Sequence, residues 1–217
     1  MAEIVIIYTS ETGMTKQYAK WISKELDSDC LVLEEVKAEE FLHADLIVFG
    51  AGIRAGRMRK LKSFHSKMNK SGWSGPVVYF ATGGAPYDEQ TVRAIVANSF
   101  HSSETSSVPF HYFESGLNFE KMKIRSRAIM RVYKMIMDGK KEKSEAAMGT
   151  RQALNGSYDH SSPDYIRPLI KDVHIVSPPR KLGTLVPRGI GGFVELNSLD
   201  FFTIEVLSVN FSLLIII

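Results

Sequence analysis

The chain has 217 residues, with 27 Lys+Arg against 24 Asp+Glu for a net charge of +3. Hydrophobic residues make up 44% and charged residues 24%, which excludes a disordered, collagen-like or multiply membrane-spanning chain. The single cysteine, Cys30, excludes an internal disulfide and a cysteine metal cage, and a charge of +3 is too weak to argue for nucleic acid.

In chain order, residues 3–9 (EIVIIYT) are a continuous apolar, β-branched run, which predicts a strand buried on both faces. A polar turn, residues 9–15, leads into a helix over 15–26, where Tyr18, Ala19, Ile22 and Leu26 share a face. A short strand at 31–33 and a helical turn at Phe41 and Leu42 follow. Residues 45–50 (DLIVFG) predict a third strand running into a glycine-rich loop, 50–56, and then a basic helix over 60–69. A fourth strand at 76–81 ends in Thr82-Gly83-Gly84-Ala85-Pro86-Tyr87, before a helix over 88–99. A fifth strand at 108–113 precedes a long basic, Met-rich helix over 119–137. A polar linker spans 138–162, and a helix over 164–173, distorted by Pro168, closes the domain.

Five strands alternating with helices predict an α/β, doubly wound sheet with helices on both faces. In such sheets the ligand sits beyond the carboxyl ends of the strands, at the switch point of the strand order. Three loops rich in Gly, Ser or Thr fall there.

The first loop, Ser10-x-Thr12-Gly13-x-Thr15, offers three hydroxyls and backbone N–H groups at the positive end of a helix. A phosphate is stabilised there without Lys or Arg. No Gly-Lys-Ser/Thr follows, and the loop is not G-x-G-x-x-G, which disfavours a dinucleotide. The competing reading is an ordinary helix cap from Thr12 to Thr15.

The run Ile4-Val5-Ile6-Ile7-Tyr8-Thr9-Ser10-Glu11-Thr12-Gly13-Met14-Thr15 resembles the amino-terminal signature of flavodoxins. The resemblance implies the strand order 2-1-3-4-5 and FMN as cofactor. It implies that Ser10, Thr12, Gly13, Met14 and Thr15 cradle the phosphate, with Glu11 counted among the cofactor-binding residues. Gly50, Ala51, Gly52, Ile53 and Arg54 match the flavin-flanking loop after the third strand. Flavodoxins usually place an aromatic there, and none stands between Gly50 and Lys62, so Ile53 or Arg54 is expected to cover the ring. Thr82, Gly83 and Gly84 resemble the other flavin loop, with Tyr87 the candidate stacking ring.

Carrier flavodoxins tend to be strongly acidic, whereas this chain is basic in two runs. Residues 54–70 carry Arg54, Arg57, Arg59, Lys60, Lys62, Lys67 and Lys70 with no acid. The helix over 119–137 combines Lys121, Lys123, Arg125, Arg127 and Arg131 with Met122, Ile124, Ile129, Met130, Val132 and Met135. That makeup suits either an anionic membrane surface or, on the plainer reading, core packing on the sheet. The combination, with Phe110-His111-Tyr112-Phe113, resembles the flavodoxin-type, menaquinone-dependent protoporphyrinogen dehydrogenases and their flavodoxin-domain relatives. It implies an FMN-dependent oxidoreductase exchanging electrons with a quinone- or porphyrin-like partner, or with a redox partner protein. The alternatives are a non-enzymatic electron carrier and a binding module that has lost FMN. The six histidines lack metal-ligand spacing, so no metal is expected.

A lone thiol and a start without a basic n-region predict a cytoplasmic protein, with peripheral membrane contact through the 119–137 helix. The domain is expected to span 1–178, with a separate tail over 179–217. Leu185-Val186-Pro187-Arg188-Gly189 spells the thrombin cleavage sequence used in expression vectors, which points to a foreign tail. Residues 201–217 are too short, with Glu205 and Asn210 inside, for the roughly 20 apolar residues of a spanning helix.

Overall fold

The computed structural model describes residues 3–100, 108–139 and 156–176. The chain divides into Met1–Arg180 and Lys181–Ile217, and every described residue belongs to the first unit. The tail over 179–217 and the linker residues 140–155 lie outside the described residues.

The first strand, β1 (Ile4–Thr9), shows why the strands read as unbroken apolar runs. Side chains alternate across a strand, so Val5 and Ile7 enter one core while Ile6 and Tyr8 enter the other. Both faces are covered, and every position in the middle must be apolar. The same holds for β3 (Leu46–Arg54) and β5 (Val77–Gly83), the two central strands. With β2 (Asp29–Val32) and β6 (Phe110–Glu114) they form a parallel sheet in the order β2-β1-β3-β5-β6. This is the expected doubly wound arrangement, and its order reverses between β1 and β3.

Helices cover both faces. Helix α1 (Met14–Leu26) packs Tyr18, Ala19, Ile22 and Leu26 against Ile6, Val48 and Phe80. The last helix, α6 (Arg167–Val176), adds Leu169 and Val173 to that layer. On the opposite face lie α2 (Ala38–His43), α3 (Leu61–Ser71) and α4 (Glu89–Ser99), which bring Phe41, Phe64 and Ile95 to Ile7, Phe49 and Tyr79. Phe49 and Phe64 stack at 4.1 Å between ring centroids.

Three elements depart from the sequence expectation. Strand β3 does not stop at Gly50 but continues to Arg54 and turns back into β4 (Arg57–Met58). Ala55 (φ 49°) and Gly56 (φ 72°) both take the left-handed conformation that a tight two-residue hairpin requires. Pro168 does not distort the final helix. A 3-10 turn at Pro163–Ile166, capped by Ser162, comes first, and Pro168 then falls in the first turn of α6, where no backbone donor is needed. Finally, the long helix α5 starts at Ile124 and runs to Gly139. It leaves and re-enters through a small antiparallel ribbon, β7 (Gly116–Leu117) with β8 (Tyr158–Asp159).

Gly50 is a packing glycine rather than a loop glycine. A Cβ there would lie 2.0 Å from Cζ of the buried Phe80 ring. Gly50→Ala is therefore expected to lower stability by about 1–3 kcal/mol, seen as a lower urea midpoint, with partial recovery in the Gly50→Ala, Phe80→Leu double variant. An unchanged midpoint in the single variant would contradict the packing argument.

Candidate functional site

The carboxyl ends of β1, β3 and β5 bring the three loops together. In the first loop, Ser10 Oγ accepts a hydrogen bond from the Gly13 N–H at 3.1 Å. Gly13 sits at φ 97°, a backbone angle that favours glycine, and forms the amino-terminal boundary of α1. No side chain caps this helix. By contrast, α4 is capped by the Asp88 carboxylate, which accepts from the Thr91 N–H at 2.7 Å. The first intrahelical bond runs from the Gln17 N–H to the Gly13 carbonyl, so the N–H groups of Met14, Thr15 and Lys16 lack helical partners. An uncapped amino terminus beside the Ser10 and Thr12 hydroxyls fits a phosphate, whose charge favours the positive end of the helix. The ordinary side-chain cap from Thr12 is not what this structure shows.

The buried hydroxyls of Thr15 and Thr82 lie 2.8 Å apart and join the first loop to the third. A Cβ at Gly52 would stand 3.7 Å from Thr15 Oγ1, so the second loop meets the other two at the same point. The remaining expected site residues divide by position. Gly50 and Ala51 lie inside β3, and Ala51 is fully buried. Met14 is buried at the start of α1. Gly52 and Ile53 are half-buried near the end of β3, and Arg54 is exposed at its last residue. Gly83 and Gly84 are half-buried, whereas Tyr87 is 65% exposed at the outer end of the third loop. The second loop contains no aromatic residue, in keeping with the sequence.

Glu11 takes a role that sequence reasoning missed. Its side chain is only 6% exposed, and it pairs with Arg59 at 2.7 Å and Arg54 at 3.1 Å. The Lys123 N–H, just before α5, donates to its other oxygen at 3.1 Å, and Arg54 also bonds Ser126 Oγ. Burial alone would raise the Glu11 pKa. Hydrogen bonds from Ser126 and the Lys123 N–H, with the charges of Arg59 and Arg54, outweigh it and hold the carboxyl below its usual range. These contacts line a hollow of about 500 Å³ with Arg54, Arg59, Lys123 and Arg125 around the one carboxylate.

The third loop is held by residues from β6, the turn after it and β8. Tyr112 Oη donates to the Ala85 carbonyl at 2.7 Å, and Tyr158 Oη donates to the Gly84 carbonyl at 2.7 Å. Ser115 donates to the Gly83 carbonyl from its N–H at 2.8 Å and from Oγ at 3.1 Å. Burial first, and then the Glu114 carboxylate, push both phenol pKa values up, so both remain donors.

Among the described side chains of α5, most apolar ones face outward, against the core-packing reading, and Met130 is half-buried. Ile124 is 85% and Met135 73% exposed, with Ile129 and Val132 also exposed. Ile124, Ala128, Val132 and Met135 fall on one helical face, flanked by exposed Arg125 and Arg131. Among the described residues no cluster of His, Cys, Asp and Glu could hold a metal, and no helix is long and apolar enough to cross a membrane.

Comparison with known proteins gives one family. The family described as "Flavodoxin domain" matches residues 5–145. Among solved structures, the chain is similar to a flavodoxin from the domain Archaea (21% identity, TM-score 0.32, covering 38% of this chain and 63% of that one). It is also similar to oxidised flavodoxin 2 from Bacillus cereus (26% identity, TM-score 0.34, 40% and 65%). A third is a flavoprotein in complex with FMN from Lactobacillus acidophilus NCFM (19% identity, TM-score 0.36, 52% and 90%). The chain thus spans less than two thirds of the first two. No curated protein matches it.

Because Glu11 is held below its ordinary pKa, its contribution to stability is present above the unfolded value of about 4.3 and fades as pH falls through the folded value. Glu11→Gln is expected to cost on the order of 1 kcal/mol at pH 7, since two partly exposed guanidinium groups lose the charge they face while the Lys123 N–H keeps an acceptor. Urea melts should show that gap narrowing below about pH 4. A gap that stays constant down to pH 3 would remove the charge argument.

Proposed function

The chain belongs to the flavodoxin domain family, and from that premise we propose that it binds FMN at the carboxyl end of its sheet and transfers electrons to or from a quinone- or porphyrin-like partner. The observation that carries the reading is the uncapped amino terminus of α1, set beside two hydroxyls at the switch point of the strand order. Ser10, Thr12 and the N–H groups of Met14, Thr15 and Lys16 would hold the phosphate. Gly52, Ile53 and Arg54 would flank the ring on one side and the Gly83–Tyr87 loop on the other. When bound, FMN supplies the redox chemistry; the protein binds it, orients it and limits access to it.

Two observations favour a reactive partner over a strictly acidic carrier's exchange. The hollow beside the first two loops is lined by four cationic side chains against one carboxylate. Helix α5 turns an apolar stripe with flanking arginines to the outside, the makeup of a helix that lies on an anionic lipid surface. Contact with such a surface would bring a lipid-soluble quinone to the site.

Added FMN is expected to give the purified protein a flavin absorbance in the blue. Thr12→Val should weaken FMN about 10- to 100-fold while leaving riboflavin, which lacks the phosphate, nearly unaffected. Equal loss for both flavins would place the phosphate elsewhere. Steady-state turnover with a short-chain naphthoquinone, and sedimentation with vesicles containing phosphatidylglycerol, test the partner. Absence of turnover with any acceptor, alongside fast exchange with a reductase, would favour the carrier.

A further inference from the structure

Helix α1 breaks two electrostatic rules on its outer face. Lys16, Lys20 and Lys24 are all exposed and stand four residues apart, so they share one face over about 12 Å of helix. Like charges at that spacing destabilise a helix, and Lys16 adds a cation to a first turn that holds no acid. None of the three makes an ion pair among the described residues, whereas the exposed Arg93 and Arg167 pair with acids three or four residues away. A phosphate bound at the helix terminus would answer Lys16 alone, since Lys20 and Lys24 lie about one and two turns further on.

The surroundings of Trp21 point to what meets the row. Trp21 is half-buried beside the lysines, edge-on to buried Tyr18 at 5.1 Å between ring centroids. The other tryptophan, Trp73, is buried, and its indole N–H donates to the Ala44 carbonyl at 2.8 Å. The indole N–H of Trp21 has no acceptor among the described residues. Trp21 also borders two hollows. One, of about 290 Å³, reaches toward Gly13 and is lined by Lys16 and Lys20. The other, of about 760 Å³, is bounded by α1, the 3-10 turn and α6. Its apolar lining includes Trp21, Pro163 and Ile170, and Lys24 and Lys171 are among its cations. Of its two carboxylates, Asp164 is paired with Arg167 at 2.6 Å, which leaves Glu25.

We infer that this face docks a partner protein through an acidic, amphipathic helix, whose apolar side chains enter the groove over Trp21 and Ile170 while its carboxylates meet Lys20, Lys24 and Lys171. A groove with an apolar floor is the surface on which amphipathic helices are bound. The excess of cations at its rim selects an acidic helix, and tryptophan is among the side chains most enriched where interfaces are anchored. A flat bilayer would touch the lysines and leave the groove unfilled. The surface stands apart from the FMN reading, because none of Lys20, Trp21, Lys24 and Lys171 belongs to the residues assigned to the cofactor.

The probe is a peptide of about 16 residues, long enough to hold a helix, with Leu at helical spacing and Glu on both flanks. Its control carries Lys in place of Glu. In 15N spectra of the full chain the acidic peptide should shift the amides of α1 and α6, and the basic one should shift neither. Lys20→Gln with Lys24→Gln should weaken binding about fivefold and flatten its salt dependence. Trp21→Leu should weaken it about tenfold and leave the salt dependence in place. The paired lysine variant should also raise the urea midpoint, because it relieves the repulsion along the helix. A midpoint that falls would assign the row to the fold and overturn the inference. Equal binding of both peptides, unchanged binding by the lysine variant, or shifts centred on Arg54, Arg59 and α5 overturn it as well. So does loss of sedimentation with phosphatidylglycerol vesicles in the lysine variant, which would give the row to a membrane. Spectra with and without added FMN keep the two readings distinct: shifts that persist in a chain that takes up no FMN keep the docking surface and remove the FMN reading.

Discussion

The arrangement of the site depends on one buried charge. Glu11 is the meeting point of the first loop, the β3–β4 hairpin and the start of α5. A carboxylate taken out of water is stable only when it is paired and its lone pairs are met, and here two guanidinium groups and a backbone N–H meet them. Any movement of one element leaves the others with an unmatched charge. The Glu11 side chain is thus committed to the protein. On the proposed reading, phosphate recognition would fall to the neutral groups beside it, the Ser10 and Thr12 hydroxyls and the backbone donors of α1. That division would avoid placing a carboxylate against a phosphate.

The sheet was legible in the sequence because burial on both faces leaves short, unbroken apolar runs, and their length and β-branched content separate them from buried helix. Residues 4–8, 46–49 and 77–81 are apolar without alternation, and they are most of β1, the first four residues of β3 and most of β5. The hairpin after β3 was not legible. Its Gly-Ala-Gly composition resembles a loop, and only the Phe80 ring above Gly50 shows that the glycine serves a close approach between strands. Contacts between distant residues were equally hidden. Glu11 and Lys123 are 112 positions apart and Gly84 and Tyr158 are 74 apart, and no local pattern pairs them. The loops themselves were read from their hydroxyls and glycines, which are local. What steadies them is long-range.

Helix α5 shows the limit of composition from another side. Its basic and apolar residues are equally consistent with a helix packed on a sheet and with one facing outward. Periodicity identifies a stripe but not what covers it. The fold decides because both faces of the sheet are already occupied, by α1 and α6 on one side and by α2, α3 and α4 on the other. Only Ser126 of the described α5 side chains is buried, and it is the one bonded to Arg54. Among the described residues, polar contacts at and just before its first turn attach the helix to the site.

The β7–β8 ribbon has a topological consequence. Leu117 and Tyr158 are paired across two antiparallel strands, so the chain departs and returns at points one strand spacing apart, about 5 Å. The span between them can lengthen or shorten without moving either end, because closing a loop becomes only about 0.6 kcal/mol harder with each doubling of its length. A tight two-residue turn would join the same two strands. The strand pairings of the sheet would then remain, while Glu11 and Arg54 would lose the Lys123 and Ser126 contacts that hold the first loop and the β3–β4 hairpin to the start of α5. The ribbon thus leaves the length of the inserted span open, and the contacts to Glu11 and Arg54, rather than the chain's connectivity, are what bind its helix to the first loop.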